Sequence, residues 1–93
     1  IESRMFVEDF NSSLGQLIAK WRRCSGMSQA ALAETLGNQQ TSISKLENGS
    51  KRITVAELAQ ILYACGLTFG EVSDDLDSFF VDKPQPLWER INE

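Results

Sequence analysis

Ninety-three residues, 42% hydrophobic and 24% charged, with two prolines, six glycines and two cysteines, describe one globular domain with short arms, not two domains or a low-complexity chain. No apolar run approaches the roughly 18 residues that a membrane-spanning helix needs, and no charged stretch followed by an apolar one opens the chain as a secretion signal would. The formal net charge of −4 argues against a nucleic-acid partner only until its distribution is read.

That distribution is uneven. Between Lys20 and Arg52 six basic residues (Lys20, Arg22, Arg23, Lys45, Lys51, Arg52) stand against Glu34 and Glu47, a balance of +4. Between Glu71 and Glu93 seven acids stand against Lys83 and Arg90, a balance of −5. A basic middle is followed by an acidic tail, and the asymmetry carries more meaning than the total. Histidine is absent, which removes histidine-based catalysis and the commonest zinc ligand. Cys24 and Cys65 are too few for a disulfide framework and have no metal-ligand spacing. They read as reduced thiols acting as small hydrophobes in a cytoplasmic protein. No metal or cofactor is expected.

The chain order is one of helices, with no alternating run of β-branched residues to suggest a strand. Leu14, Leu17, Ile18 and Trp21 recur at i, i+3, i+4 and i+7 behind the cap candidates Asn11, Ser12 and Ser13, predicting a first helix over 12–24 that stops at Gly26. Residues 1–11, with Met5, Phe6, Val7 and Phe10, either extend that helix or form a separate arm. Ser28 caps a second helix over 28–36, with Met27 and Leu32 as a hydrophobic staple. A third helix is predicted over 39–48. Thr54 with Glu57 makes a capping box for a fourth over 54–65, stapled by Ile53 and Leu58; Thr68 with Glu71 repeats the box for a fifth over 68–79, stapled by Leu67 and Val72. Gly37, Gly49 and Gly66 follow the apolar runs where a left-handed stop residue is wanted. The domain therefore spans 12–79. Residues 80–93, with Pro84, Pro86 and a short Leu87, Trp88, Ile91 pattern, form a tail that either docks on the domain or meets a second subunit.

The informative stretch is Gln29 to Asn48. Ala33 is small where two helices would cross, Gly37 sits in the turn between them, and Leu32, Leu36, Ile43 and Leu46 face inward. Together with the flanking helices, the run LGQLIAKWRRCSGMSQAALAETLGNQQTSISKLENG resembles the Cro/C1-type (XRE-like) helix-turn-helix family of phage repressors and bacterial regulators, over roughly Leu14 to Leu76. The resemblance implies an all-α, five-helix lambda-repressor-like DNA-binding domain, here with an N-terminal arm and an acidic C-terminal tail. Asn38 and Gln39 depart from the family pattern, which usually has an apolar turn residue and a Ser or Thr cap there.

If the third helix enters the major groove, its outer face of Gln40, Thr41, Ser44 and Lys45 meets base edges. Gln40 suits adenine, Lys45 suits guanine, and Thr41 offers a methyl or a hydroxyl. The resemblance places phosphate contacts at Gln29, Gln39, Asn48, Ser50, Lys51 and Arg52. It also implies a structural salt bridge from Arg22 to Glu47, with Arg23 an exposed neighbour. Phe69, Leu76, Phe79 and Phe80 lie on or past a short fifth helix with little core left to hide them, and are expected at a dimer interface. Asp74, Asp75 and Asp77 would then face solvent or a partner. The function implied is a sequence-specific transcriptional regulator and not an enzyme, a repressor binding double-stranded DNA as a homodimer on a pseudo-palindromic operator. The alternative is an antitoxin-type autorepressor whose acidic C-terminal segment binds a partner protein.

Overall fold

The computed structural model describes residues 2–79, with side chains from Phe10 onward. Among them the order is α1 (Glu2–Cys24), α2 (Gln29–Leu36), α3 (Gln40–Glu47), α4 (Val55–Cys65) and α5 (Ser73–Asp77), with no strand. None of these helices is long and apolar enough to cross a membrane. The expectations for Phe80, the tail after Pro84, and the side chains of Met5, Phe6 and Val7 fall outside the described residues.

Local punctuation sets the central elements. Ser28 accepts from the Ala31 amide at 3.0 Å and opens α2. Gly37 closes it in a left-handed conformation at φ 72°, which lets the Asn38 amide return to the Ala33 carbonyl at 2.8 Å. A side chain at this φ would be strained, so the turn between α2 and α3 depends on glycine. The Thr54–Glu57 capping box forms in full at the start of α4. Gln39 caps α3 with its backbone only and makes no side-chain cap hydrogen bond, as its departure from Ser or Thr suggests.

Two helix limits differ from the sequence reading. α1 starts at Glu2, so the residues before Asn11 continue the helix, and Asn11, Ser12 and Ser13 are interior positions, not caps. The reason is tertiary. α1 is met from the side by the end of α3 and needs small groups along that line. A Cβ on Gly15 would lie 2.5 Å from the Leu46 carbonyl oxygen and 2.6 Å from that of Glu47; one on Gly49 would lie 2.9 Å from Ser12 Oγ and 3.0 Å from its Cα. Ser12 and Gly15 are thus where another backbone comes close, and that packing overrides the local capping preference of serine.

The second difference is α5, which covers only Ser73–Asp77 instead of 68–79. The Thr68–Glu71 box does form: the Thr68 amide donates to Glu71 Oε1 at 3.0 Å and the Glu71 amide donates to Thr68 Oγ1 at 3.2 Å. It closes a turn without starting an α-helix. The next amides, Val72 and Ser73, return to Phe69 and Gly70, three residues back, at 3.2 and 3.4 Å. Gly70 costs a helix about 1 kcal/mol relative to Ala, and the tighter turns carry Val72 into the core, where it is 3% exposed.

The core is shared by α1 to α4 and completed from the α5 turn. Ile18, Trp21, Leu32, Ala33, Ile43, Leu46, Leu58, Ile61, Leu62 and Val72 form one buried cluster. α1 and α2 each pack on both α3 and α4. Leu14 and Leu36, expected inside, lie half-buried against this cluster, whereas Ile61 and Val72 are core members that periodicity did not single out. Cys65 is half-buried there, and burial pushes its thiol pKa up. Cys24 is exposed at the end of α1 and does not behave as a buried hydrophobe.

Candidate nucleic-acid interface

α3 is held from behind and open in front. Ile43 is fully buried and Leu46 is 2% exposed, so the helix is seated by its inner face. On the outer face Gln40, Thr41 and Lys45 are exposed and their side chains hold no hydrogen bond or ion pair among the described residues, while Ser44 is half-buried. Polar side chains with long reach, on a helix fixed at its back, suit reading the edges of a duplex groove.

The seat of α3 is ionic as well as apolar. Arg22 Nε donates to Glu47 Oε2 at 2.6 Å and Arg22 Nη2 donates to Glu47 Oε1 at 3.1 Å. Arg22 Nη1 also donates to the Met27 carbonyl at 2.9 Å, so one guanidinium ties the end of α3 to α1 and to the start of α2. The hydrogen bonds that Arg22 donates to Glu47 hold the Arg22 pKa above its ordinary value. Arg22 is accordingly structural, as the sequence resemblance implies. Arg23 is exposed and bends back on its own helix, donating to the Ala19 carbonyl at 3.2 Å.

Around this outer face lie the residues expected to meet phosphates. Gln29, at the first position of α2, is half-buried, and its Nε2 donates to Glu47 Oε1 at 2.9 Å. Gln39 is exposed at the cap of α3. After α3, Asn48 Oδ1 accepts from the Ser50 amide at 2.9 Å, which leaves its NH₂ group pointing elsewhere. Lys51 Nζ lies 3.5 Å from Glu57 Oε2, a partly exposed pair that another anion could rearrange, and Arg52 is exposed. Glu57 is held below the ordinary carboxylate range, first by the Thr54 backbone amide. Gln29, Asn48 and Lys51 therefore have partners within the chain that sequence alone did not indicate.

The residues expected at a dimer contact separate. Phe69 is 45% exposed. Leu76 packs half-buried against the core, and the Phe79 ring stacks on Phe10 of α1 with centroids 5.4 Å apart. Phe80 lies outside the described residues. Asp75, expected to face solvent or a partner, is partly exposed and also accepts from Trp21 Nε1 at 2.9 Å, with Lys20 Nζ at 3.5 Å. Trp21 is buried, and its indole N–H needed an acceptor, a demand the sequence contains but whose answer lies 54 residues away.

The helix-turn-helix family profile matches residues 18–72, more than half of the chain and all of α2 to α4. The chain belongs to the Cro/C1-type helix-turn-helix family. Two solved structures of the clp gene regulator ClgR from Corynebacterium glutamicum are similar to this helix-turn-helix protein, each at 25% identity over 74% of this chain. Their TM-scores are 0.68 and 0.67, and they are covered over 73% and 88% of their own length. Among curated proteins none matches. The family makes this helix-turn-helix protein a DNA-binding transcriptional regulator in class.

Proposed function

We propose that the chain is a sequence-specific repressor that binds a pseudo-palindromic operator as a homodimer, with α3 in the major groove. The observation that carries this is the division of α3 into a seated face of Ile43, Leu46 and Glu47 and an outward face of Gln40, Thr41 and Lys45 with no partner among the described residues. Gln40, Thr41, Ser44 and Lys45 read bases. Gln29, Gln39, Asn48, Ser50, Lys51 and Arg52 grip phosphates on either side. One reader of this size offers a small interface, and a two-fold pair doubles it while spacing two recognition helices one turn of DNA apart, roughly 34 Å. Phe69, with Leu76, Phe79 and Phe80, contributes to that pairing. The protein works in the cytoplasm on duplex DNA and catalyses no reaction.

The test is selection of bound sequences from random duplex DNA, followed by measurement on the enriched site. Enrichment of a two-fold symmetric site supports the reading. Enrichment of a single unpaired half-site removes the homodimer, and no enrichment at low salt removes sequence-specific binding.

A further inference from the structure

We infer that Glu47 is a positioning residue for DNA binding, holding the Gln29 carboxamide so that its remaining N–H faces a backbone phosphate. The inference rests on the reading of Gln29 as a phosphate contact and adds to it what sets its orientation. Glu47 Oε1 accepts from both Arg22 Nη2 and Gln29 Nε2, at 3.1 and 2.9 Å. An ionised carboxylate only accepts hydrogen bonds, so the Gln29 amide turns its NH₂ group toward Glu47 and its carbonyl away. One N–H is used; the other has no partner among the described residues. At the start of α2 the Ala31 and Leu32 amides are already taken by Ser28 Oγ and its carbonyl, each at 3.0 Å.

Arg22 makes the arrangement workable. A bare carboxylate beside a phosphate would repel it, but the two-point guanidinium contact balances the charge on Glu47. The result is a donor fixed before DNA arrives, and a donor fixed in advance loses less freedom on binding. α3 thereby orients a phosphate contact on α2, so reader and clamp move as one piece.

The experiment compares Glu47→Gln, Gln29→Ala and the double variant. Binding to a selected duplex and to a random duplex is followed by fluorescence anisotropy across salt concentration, at a temperature where circular dichroism shows each protein folded. Glu47→Gln keeps the side-chain volume but lets position 47 donate as well as accept, so the lock on the Gln29 amide is lost. Each single variant should weaken DNA binding by about tenfold, the loss of one hydrogen bond to a charged group, while the log–log salt slope stays the same, since a neutral amide releases no condensed counterion. Cognate and random duplexes should weaken by a similar factor, and the double variant should go no further than either single one. If Glu47→Gln does not fold, Glu47→Asp is read in the same way, because it keeps the charge for Arg22 while shortening the reach to Gln29. An affinity unchanged at position 47 beside a lower melting temperature leaves Glu47 merely structural and overturns the inference. So do additive losses in the double variant. An unchanged affinity for Gln29→Ala, with the unaltered protein still binding DNA, removes the phosphate role of Gln29 alone, whereas no binding by the unaltered protein removes the DNA reading with it.

Discussion

At Gly15 a single methyl group decides whether α1 and α3 can meet. Replacing an interior helical glycine by alanine normally gains about 1 kcal/mol from helix propensity. Here the new carbon would sit 2.5 Å from one backbone carbonyl oxygen and 2.6 Å from the next, and neither can swing aside as a flexible side chain would. Gly15→Ala should therefore destabilise the fold by about 1–3 kcal/mol net, as overpacking does. Thermal unfolding checks this, and a raised melting temperature would show that α3 can shift to accept the methyl group. Arg22→Ala should cost about 3 kcal/mol, because it strands a Glu47 side chain that is only 8% exposed. An unchanged melting temperature with weakened DNA binding would make Arg22 a DNA ligand instead. The Arg22–Glu47 pair was legible through the family resemblance. Gly15 was not, although a glycine between Leu14 and Leu17 in a helical pattern was a signal of close packing.

Among the elements, the ends of helices separate what sequence can and cannot show. The starts of α2 and α4 obey local chemistry, and their caps form as the Ser28 and Thr54 patterns require. Thr54→Ala should cost about 1 kcal/mol, measurable by denaturant unfolding. The α5 region carries the same capping box yet yields only five helical residues, because the burial of Val72 and the presence of Gly70 outweigh the local signal. What fixes α5 is a long-range bond, the acceptance of the Trp21 N–H by Asp75, and no local rule could have named that partner.

The same bond gives α5 a pH dependence. Asp75 is held below its ordinary carboxylate value, first by the Trp21 hydrogen bond and then by Lys20. A depressed folded pKa stabilises fully above the unfolded value, and that contribution is lost as pH falls through the lowered one. Docking of α5 should thus be complete at neutral pH and weaken below about pH 4, the ordinary carboxylate range. Trp21 emission should report it, set against Asp75→Asn, in which the acid-dependent change at this contact should disappear. Persistence of the full change in Asp75→Asn would assign it to another group, with Glu57 the next acid lowered by its partners.

For the molecule as a whole, the uneven charge predicts behaviour that its net value of −4 does not. With Lys51 and Arg52 as the charged phosphate contacts of each subunit, a dimer should show a log–log salt slope of roughly −4. A slope near zero would deny the grip assigned to the basic middle of the chain. Light scattering at micromolar concentration should find a dimer; a monomer with full-strength operator binding would leave Phe69 without the role proposed for it. The fold class and the position of the helix-turn-helix were readable because they depend on periodicity, small residues and left-handed glycines. The side-chain partners of Gln29 and Lys51 were not, since those depend on how elements meet in space.

The two-faced construction of α3 also bears on how such a protein can change over time. Ile43, Leu46 and Glu47 carry the attachment of this helix to the domain, whereas the side chains of Gln40, Thr41 and Lys45 hold no bond among the described residues. Substitutions at the outer positions therefore alter what the helix presents without touching what keeps it in place. On the proposed reading of α3, a lineage carrying this scaffold can rewrite its preferred sequence one residue at a time, and none of the intermediates needs to pass through an unstable protein.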